Sequence, residues 1–165
     1  MIANPQSLPA RSLPGLIAAA FAAALVVLTV AATTGSTFDL VFGGVTLIEM
    51  TLPVSLLIFA AAPLLEAVPS TSATFAQAVL LAPGLLEVAL LWWVLRRGRR
   101  SAAWANGGTG FALATASLVV WGGVTFALRE QSGGVPLIVL GGGQAVLAVA
   151  YFLVFFRGAR RPAQD

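Results

Sequence analysis

The sequence predicts an all-α fold, a polytopic bundle of transmembrane helices, on three observations. Of its 165 residues 59% are hydrophobic and only 9% charged, where a soluble domain carries about 25% charged residues. Mean hydropathy is +0.95, and so few charges cannot cover a soluble surface in water. Apolar stretches of about 20 residues recur along the chain, the length that crosses a hydrocarbon core about 30 Å thick. Finally, every basic residue is Arg, and most arginines stand in two clusters that close apolar stretches.

Five spans are expected, at about 13–32, 45–66, 74–95, 107–128 and 135–156, in one integral membrane domain with polar tails at 1–12 and 157–165. The first runs through the Ala-rich stretch 18–24 into Leu25-Val26-Val27-Leu28. Its apolar core is longer than the roughly 7–15 residues of a cleaved signal, so it is expected to be retained as a helix. The second is the least regular. Leu52–Leu65 is apolar but short, and adding Val45–Thr51 brings in Glu49, with Pro53 and Pro63 inside the segment. The alternative is four spans, with an external β-hairpin and a short re-entrant helix at 37–68. Thr37–Phe42 and Val45–Met50 suit two strands, and Gly43-Gly44 suits the two-residue turn between them.

The remaining spans are plainly bounded. Arg96, Arg97, Arg99 and Arg100 close the third, Arg129-Glu130 the fourth, and Arg157, Arg160 and Arg161 the last. Positive residues stay on the cytoplasmic side. Two spans separate the Arg clusters, so both are expected inside, with the C-terminus cytoplasmic and Arg129 outside. Five spans place Arg11 outside and four place it inside. Trp92, Trp93 and Trp104 beside the first cluster, and Tyr151, Phe152, Phe155 and Phe156 before the second, are expected to anchor at the headgroups. The arginines also attract anionic headgroups, at about 1 kcal/mol each near the surface. Arg without Lys, beside abundant Ala and Gly, suits GC-rich bacterial codons, so the expected location is a bacterial cytoplasmic membrane.

Small residues mark packing faces, because lipid supplies no hydrophobic drive and helices associate by close approach. Such faces are Ala18/Ala22 and Ala19/Ala23 in the first span, and Gly110/Ala114, Ala112/Ala116 and Gly122-Gly123 in the fourth. In the last span Gly141-Gly142-Gly143 permits a bend or a close ligand approach.

The absence of Cys, His and Lys removes disulfides, thiolate and imidazole metal sites, Ser-His or Cys-His catalysis and Schiff-base chemistry. No enzyme activity, cofactor or metal is expected. A nucleic-acid partner is not expected either, since the basic residues are split between a short loop and a tail. Glu87 is the polar residue that membrane physics excuses least. It precedes Arg96 by nine residues, about 13–14 Å of helix, which places it near mid-membrane. An ionised acid there costs on the order of 2.5–3.5 kcal/mol, so it is expected to be protonated, paired or wetted. Pro83, one turn earlier, frees the carbonyl of Val79, and Gln144 lies at a broadly similar depth as a candidate partner. Glu87, Gln144 and Pro83 therefore form the candidate intramembrane polar site, as a protonatable or cation-contacting centre or as a neutral pair that fixes helix register. Glu49 and Glu66 are weaker candidates, expected as boundary carboxylates.

Two functions follow. One is a non-enzymatic accessory, assembly or structural component of a membrane complex, with the bilayer and other subunits or further copies as partners. The other is a small oligomeric transporter or channel in which Glu87 is a proton- or cation-linked site.

Overall fold

The computed structural model describes residues 8–34, 37–52, 54–56, 60, 73–129 and 134–158. Among them there are five helices and no strand: α1 Leu8–Thr34, α2 Thr37–Met50, α3 Ala73–Gly98, α4 Ala102–Ala127 and α5 Gly134–Gly158. Three are long and apolar enough to cross a membrane, namely α1 over Arg11–Ala31, α4 over Ala102–Ala127 and α5 over Gly134–Phe155. The molecule is thus a helical membrane protein. α3 matches α4 at 26 residues, but Glu87, Arg96 and Arg97 all fall within its segment 81–98.

Residues 37–50 do not form the β-hairpin of the alternative reading. They form one helix, because Thr46, Leu47 and Met50, buried, recur at helical spacing and face α1, α3 and α4. Gly43-Gly44 is an interior pair of that helix, with no turn. Nor does a single helix run over 45–66, since α2 ends at Met50 and residues 51–52 form a turn. Pro53 has no N–H to offer the carbonyl of Glu49. Leu52 N–H bonds that carbonyl instead, at 3.4 Å, which deprives the Ile48 carbonyl of its own helical partner. The hydroxyls of Thr51 (3.3 Å) and Ser55 (3.0 Å) donate to Ile48 in its place. At 14 residues, about 21 Å, α2 is too short to cross a bilayer.

α1, α3, α4 and α5 pack as a ring in which α4 lies between α3 and α5, α1 closes the circle, and α2 wedges against α1, α3 and α4. Ile17, Phe21, Leu28, Leu95, Val119 and Phe126 are among the side chains that fill the centre. α4 and α5 make the most extensive contact, through glycine. A Cβ on Gly123 would sit 2.7 Å from the backbone N of Ile138, and one on Gly141 would sit 2.9 Å from that of Val120. Helix α5 runs unbroken through Gly141-Gly142-Gly143. Gly141 serves close packing, while a Cβ on Gly142 or Gly143 would meet nothing.

The ends of the bundle are set by two contacts. Arg11 and Leu16 of α1 line one groove with Trp92 and Arg96 of α3 and Arg99 just beyond its end, and Leu25 lies against Gly84. α1 and α3 are therefore antiparallel, and Arg11 shares an end with the Arg96–Arg100 cluster. Val45 and Glu49 of α2 line a groove with Trp121, Thr125 and Arg129 at the other end. A three-residue connection, 99–101, joins α3 to α4, and Ser101 caps α4 by accepting the N–H of Trp104 at 3.3 Å.

Candidate functional site

The face that α3 turns inward is read from its buried residues Pro83, Gly84, Glu87, Leu91 and Leu95, spaced three and four apart. Leu137, Gly141, Gln144, Ala148 and Tyr151 make the equivalent face of α5. Near the Arg-cluster end the two faces are tied directly, because the Tyr151 hydroxyl donates to the carbonyl of Leu95 at 2.6 Å. Tyr151 is fully buried inside the bundle, its hydroxyl turned to α3 at the level of the Arg cluster. Leu95 also packs on Gly108 of α4, where a Cβ would lie 3.2 Å from its side chain.

That Leu95–Gly108–Tyr151 contact is a ruler for depth. Glu87 precedes Leu95 by eight residues, Gln144 precedes Tyr151 by seven, and Thr115 follows Gly108 by seven. At 1.5 Å per residue all three stand about 10–12 Å further in, two turns along and on the same face of each helix. They form one polar layer across the bundle, with Glu87 and Gln144 both 0% exposed.

Hydrogen bonding within the layer is uneven. Gln144 Nε2 donates to Thr115 Oγ1 at 2.7 Å and to the carbonyl of Ala112 at 3.3 Å. Thr115 Oγ1 in turn donates to Ala112 at 3.0 Å. This clamp joins α5 to α4 and replaces the expected bond between Gln144 and Glu87. Neither carboxyl oxygen of Glu87, nor Oε1 of Gln144, has a hydrogen-bond partner among the described residues. The buried hydroxyls of Thr109 and Thr51 donate to carbonyls four residues back, Ala105 at 2.8 Å and Leu47 at 2.9 Å. The unmet hydrogen-bonding capacity therefore belongs to acceptors: three oxygens at one depth, with no donor among the described side chains directed at them. Such a set suits a proton, a donor-rich group or a small cation. Pro83 is buried one turn from Glu87, and the Thr51 methyl and Leu25 would meet a Cβ on its neighbour Gly84. Apolar groups of α1 and of the turn after α2 thus pack about one helical turn from the layer.

Glu49 is exposed at the far end, in a groove of about 350 Å³ that Arg129 also lines. Glu66, Arg160 and Arg161 lie outside the described residues, as does the side chain of Arg157. Arg96, Arg97, Arg99 and Arg100 are exposed around the α3–α4 connection. The guanidinium of Arg97 lies over both Trp93 (4.5 Å) and Trp104 (5.3 Å), and that of Arg96 over Trp92 (5.0 Å). Among the described residues no three carboxylate side chains gather as a metal site would require. Comparison with known proteins finds no matching family model, curated protein or solved structure.

Proposed function

We propose that this chain is a four-pass protein of a bacterial cytoplasmic membrane, working as a non-enzymatic accessory or assembly component of a larger membrane complex. In this reading α1, α3, α4 and α5 cross the bilayer and α2 re-enters from outside. The shared groove of Arg11, Arg96 and Arg99 supports it, because five crossings would put Arg11 on the opposite face from the cluster. Both chain ends then lie at the cytoplasmic face, with Arg129 outside, as positive-inside placement favours.

The assembly role is carried by the outer face of α4. Gly107, Gly110, Ala114 and Ser117 are exposed there at three- and four-residue spacing, and a Cβ on Gly107 or Gly110 would meet nothing. The outer face of α5 presents the open Gly142 and Gly143 but is dominated by the branched Val135, Val139, Val146 and Val149, as a lipid-facing helix is. Small and hydroxyl-bearing residues are what close helix–helix contact in a membrane uses. Cysteines placed at Gly110 and Ala114 on the Cys-free chain are expected to crosslink, to a second copy or to another membrane protein, while one at Val146 is not. A chain that purifies from mild detergent as a solitary monomer, with no crosslink from either position, removes the proposal.

A second reading rests on the orphaned oxygens of Glu87 and Gln144: a proton- or cation-linked site in a small oligomeric transporter or channel. Glu87→Gln is expected to abolish ion flux in proteoliposomes, and unchanged flux takes Glu87 out of the mechanism.

A further inference from the structure

The groove between α1 and α3 has a chemistry that helix orientation alone does not require. Its volume is about 420 Å³, and Arg11, Arg96 and Arg99 line it together with Trp92 and Leu16. Among the described side chains no carboxylate lines it: Glu87 is buried in the bundle and Glu49 lies at the opposite end. Arg96 is held in place by its stacking on Trp92 at 5.0 Å. A second groove, of about 630 Å³, is walled by Val54, Leu86, Ala89, Leu90, Trp92 and Trp93. Trp92 belongs to both grooves. The cationic groove is therefore bordered, across the Trp92 indole, by a wholly apolar one whose other α3 walls, apart from Trp93, lie further from the Arg cluster. From Arg96 to Leu86 the helix rises about 15 Å, half of a hydrocarbon core about 30 Å thick, which is the depth of one leaflet.

We infer that these two grooves together bind one anionic phospholipid of the inner leaflet, its phosphate held by Arg11, Arg96 and Arg99 and an acyl chain laid along Trp92, Leu90 and Leu86. Three guanidiniums with no acidic neighbour among the described residues match an anionic headgroup, and planar forks suit phosphate oxygens. A soluble phosphate would use the arginines and leave the apolar half empty, whereas a phospholipid fills both. Basic pockets between helices on the cytoplasmic side are where acidic headgroups bind. The inference rests on the Arg end lying at the membrane–cytoplasm boundary.

Native mass spectrometry of the full chain tests it, with phosphatidylglycerol and phosphatidylcholine of identical acyl chains as probes. One phosphatidylglycerol per chain is expected to be retained, at least tenfold more tightly than phosphatidylcholine. Arg11→Gln, Arg96→Gln and Arg99→Gln are each expected to weaken retention about fivefold, and the triple variant about a hundredfold. Arg100→Gln, outside the groove, is expected to change it less than twofold. Ala89→Trp, which fills the apolar half, is expected to weaken phosphatidylglycerol while helicity by circular dichroism is unchanged. Equal retention of the two lipids, an Arg100→Gln effect as large as that of Arg96→Gln, or displacement by millimolar inorganic phosphate overturns the site. Cysteine labelling of Ser12 and Ala103 checks the boundary separately, so a wrong topology is distinguishable from a missing lipid site.

Discussion

Glu87 and Tyr151 both extend a polar group into the same apolar interior, and they differ in whether it finds a partner. The Tyr151 hydroxyl meets a carbonyl of α3, so Tyr151→Phe is expected to cost about 1 kcal/mol while leaving the shape intact. Thermal unfolding in detergent reads that loss. Glu87 meets no partner among the described residues, so Glu87→Leu, which removes both orphaned oxygens, is expected to stabilise the folded protein by about 1–3 kcal/mol. A fall in melting temperature for Glu87→Leu shows instead that the carboxyl is held by a group outside this layer. Depth was legible for these residues and direction was not. Counting from Arg96 places Glu87 mid-span, and Gln144 does stand level with it. Which neighbour an amide reaches depends on the rotation of α5 against α4, and that is set by the glycine contacts at Gly123 and Gly141. Thr115, the actual partner of Gln144, carries no signal in the sequence that separates it from other hydroxyls.

At the scale of elements, the apolar runs over α1, α3, α4 and α5 were plain, and their ends follow arginines or caps. Segment 37–50 was harder because local cues conflict. Gly43-Gly44 flanked by β-branched and aromatic residues resembles a hairpin, while the apolar spacing at Thr46, Leu47 and Met50 fits a helix. Packing on three neighbouring helices decides for the helix, since within a bundle the backbone must satisfy its own polar groups. The glycines of α5 likewise separate by role once the neighbouring helix is in view. Gly141→Ala brings a methyl against the backbone of Val120 and is expected to cost about 1–3 kcal/mol by overpacking. Gly143→Ala projects into open space and is expected to gain up to about 1 kcal/mol through helix propensity. Unfolding of the two variants side by side checks the opposite signs; the same sign for both removes the assignment of Gly141 to the α4–α5 contact.

For the whole molecule, the proposed four-pass topology predicts which positions share a side. Single cysteines at Ser12 and Ala103 are expected to react with a membrane-impermeant maleimide from the cytoplasmic face only, and one at Leu128 from the outside only. Labelling of Ser12 and Ala103 from opposite faces favours five passes instead. Hydropathy alone pointed to five because it registers how apolar 45–66 is and is blind to the break after Met50, where Pro53 takes a donor out of the backbone.

The circular order of the helices also has a consequence for biogenesis. α3, α4 and α5 follow one another through short connections and can pair as soon as each is made, but α1, made before them, completes its contacts only against the last. Closing so long a segment costs little more than closing a short one, so the delay is one of timing rather than stability. The basic groove needs only α1 and α3, whereas the Gln144–Thr115 clamp needs α4 and α5. A nascent chain halted after α4 would therefore already own its lipid-facing arginines while still lacking the bond that locks its centre.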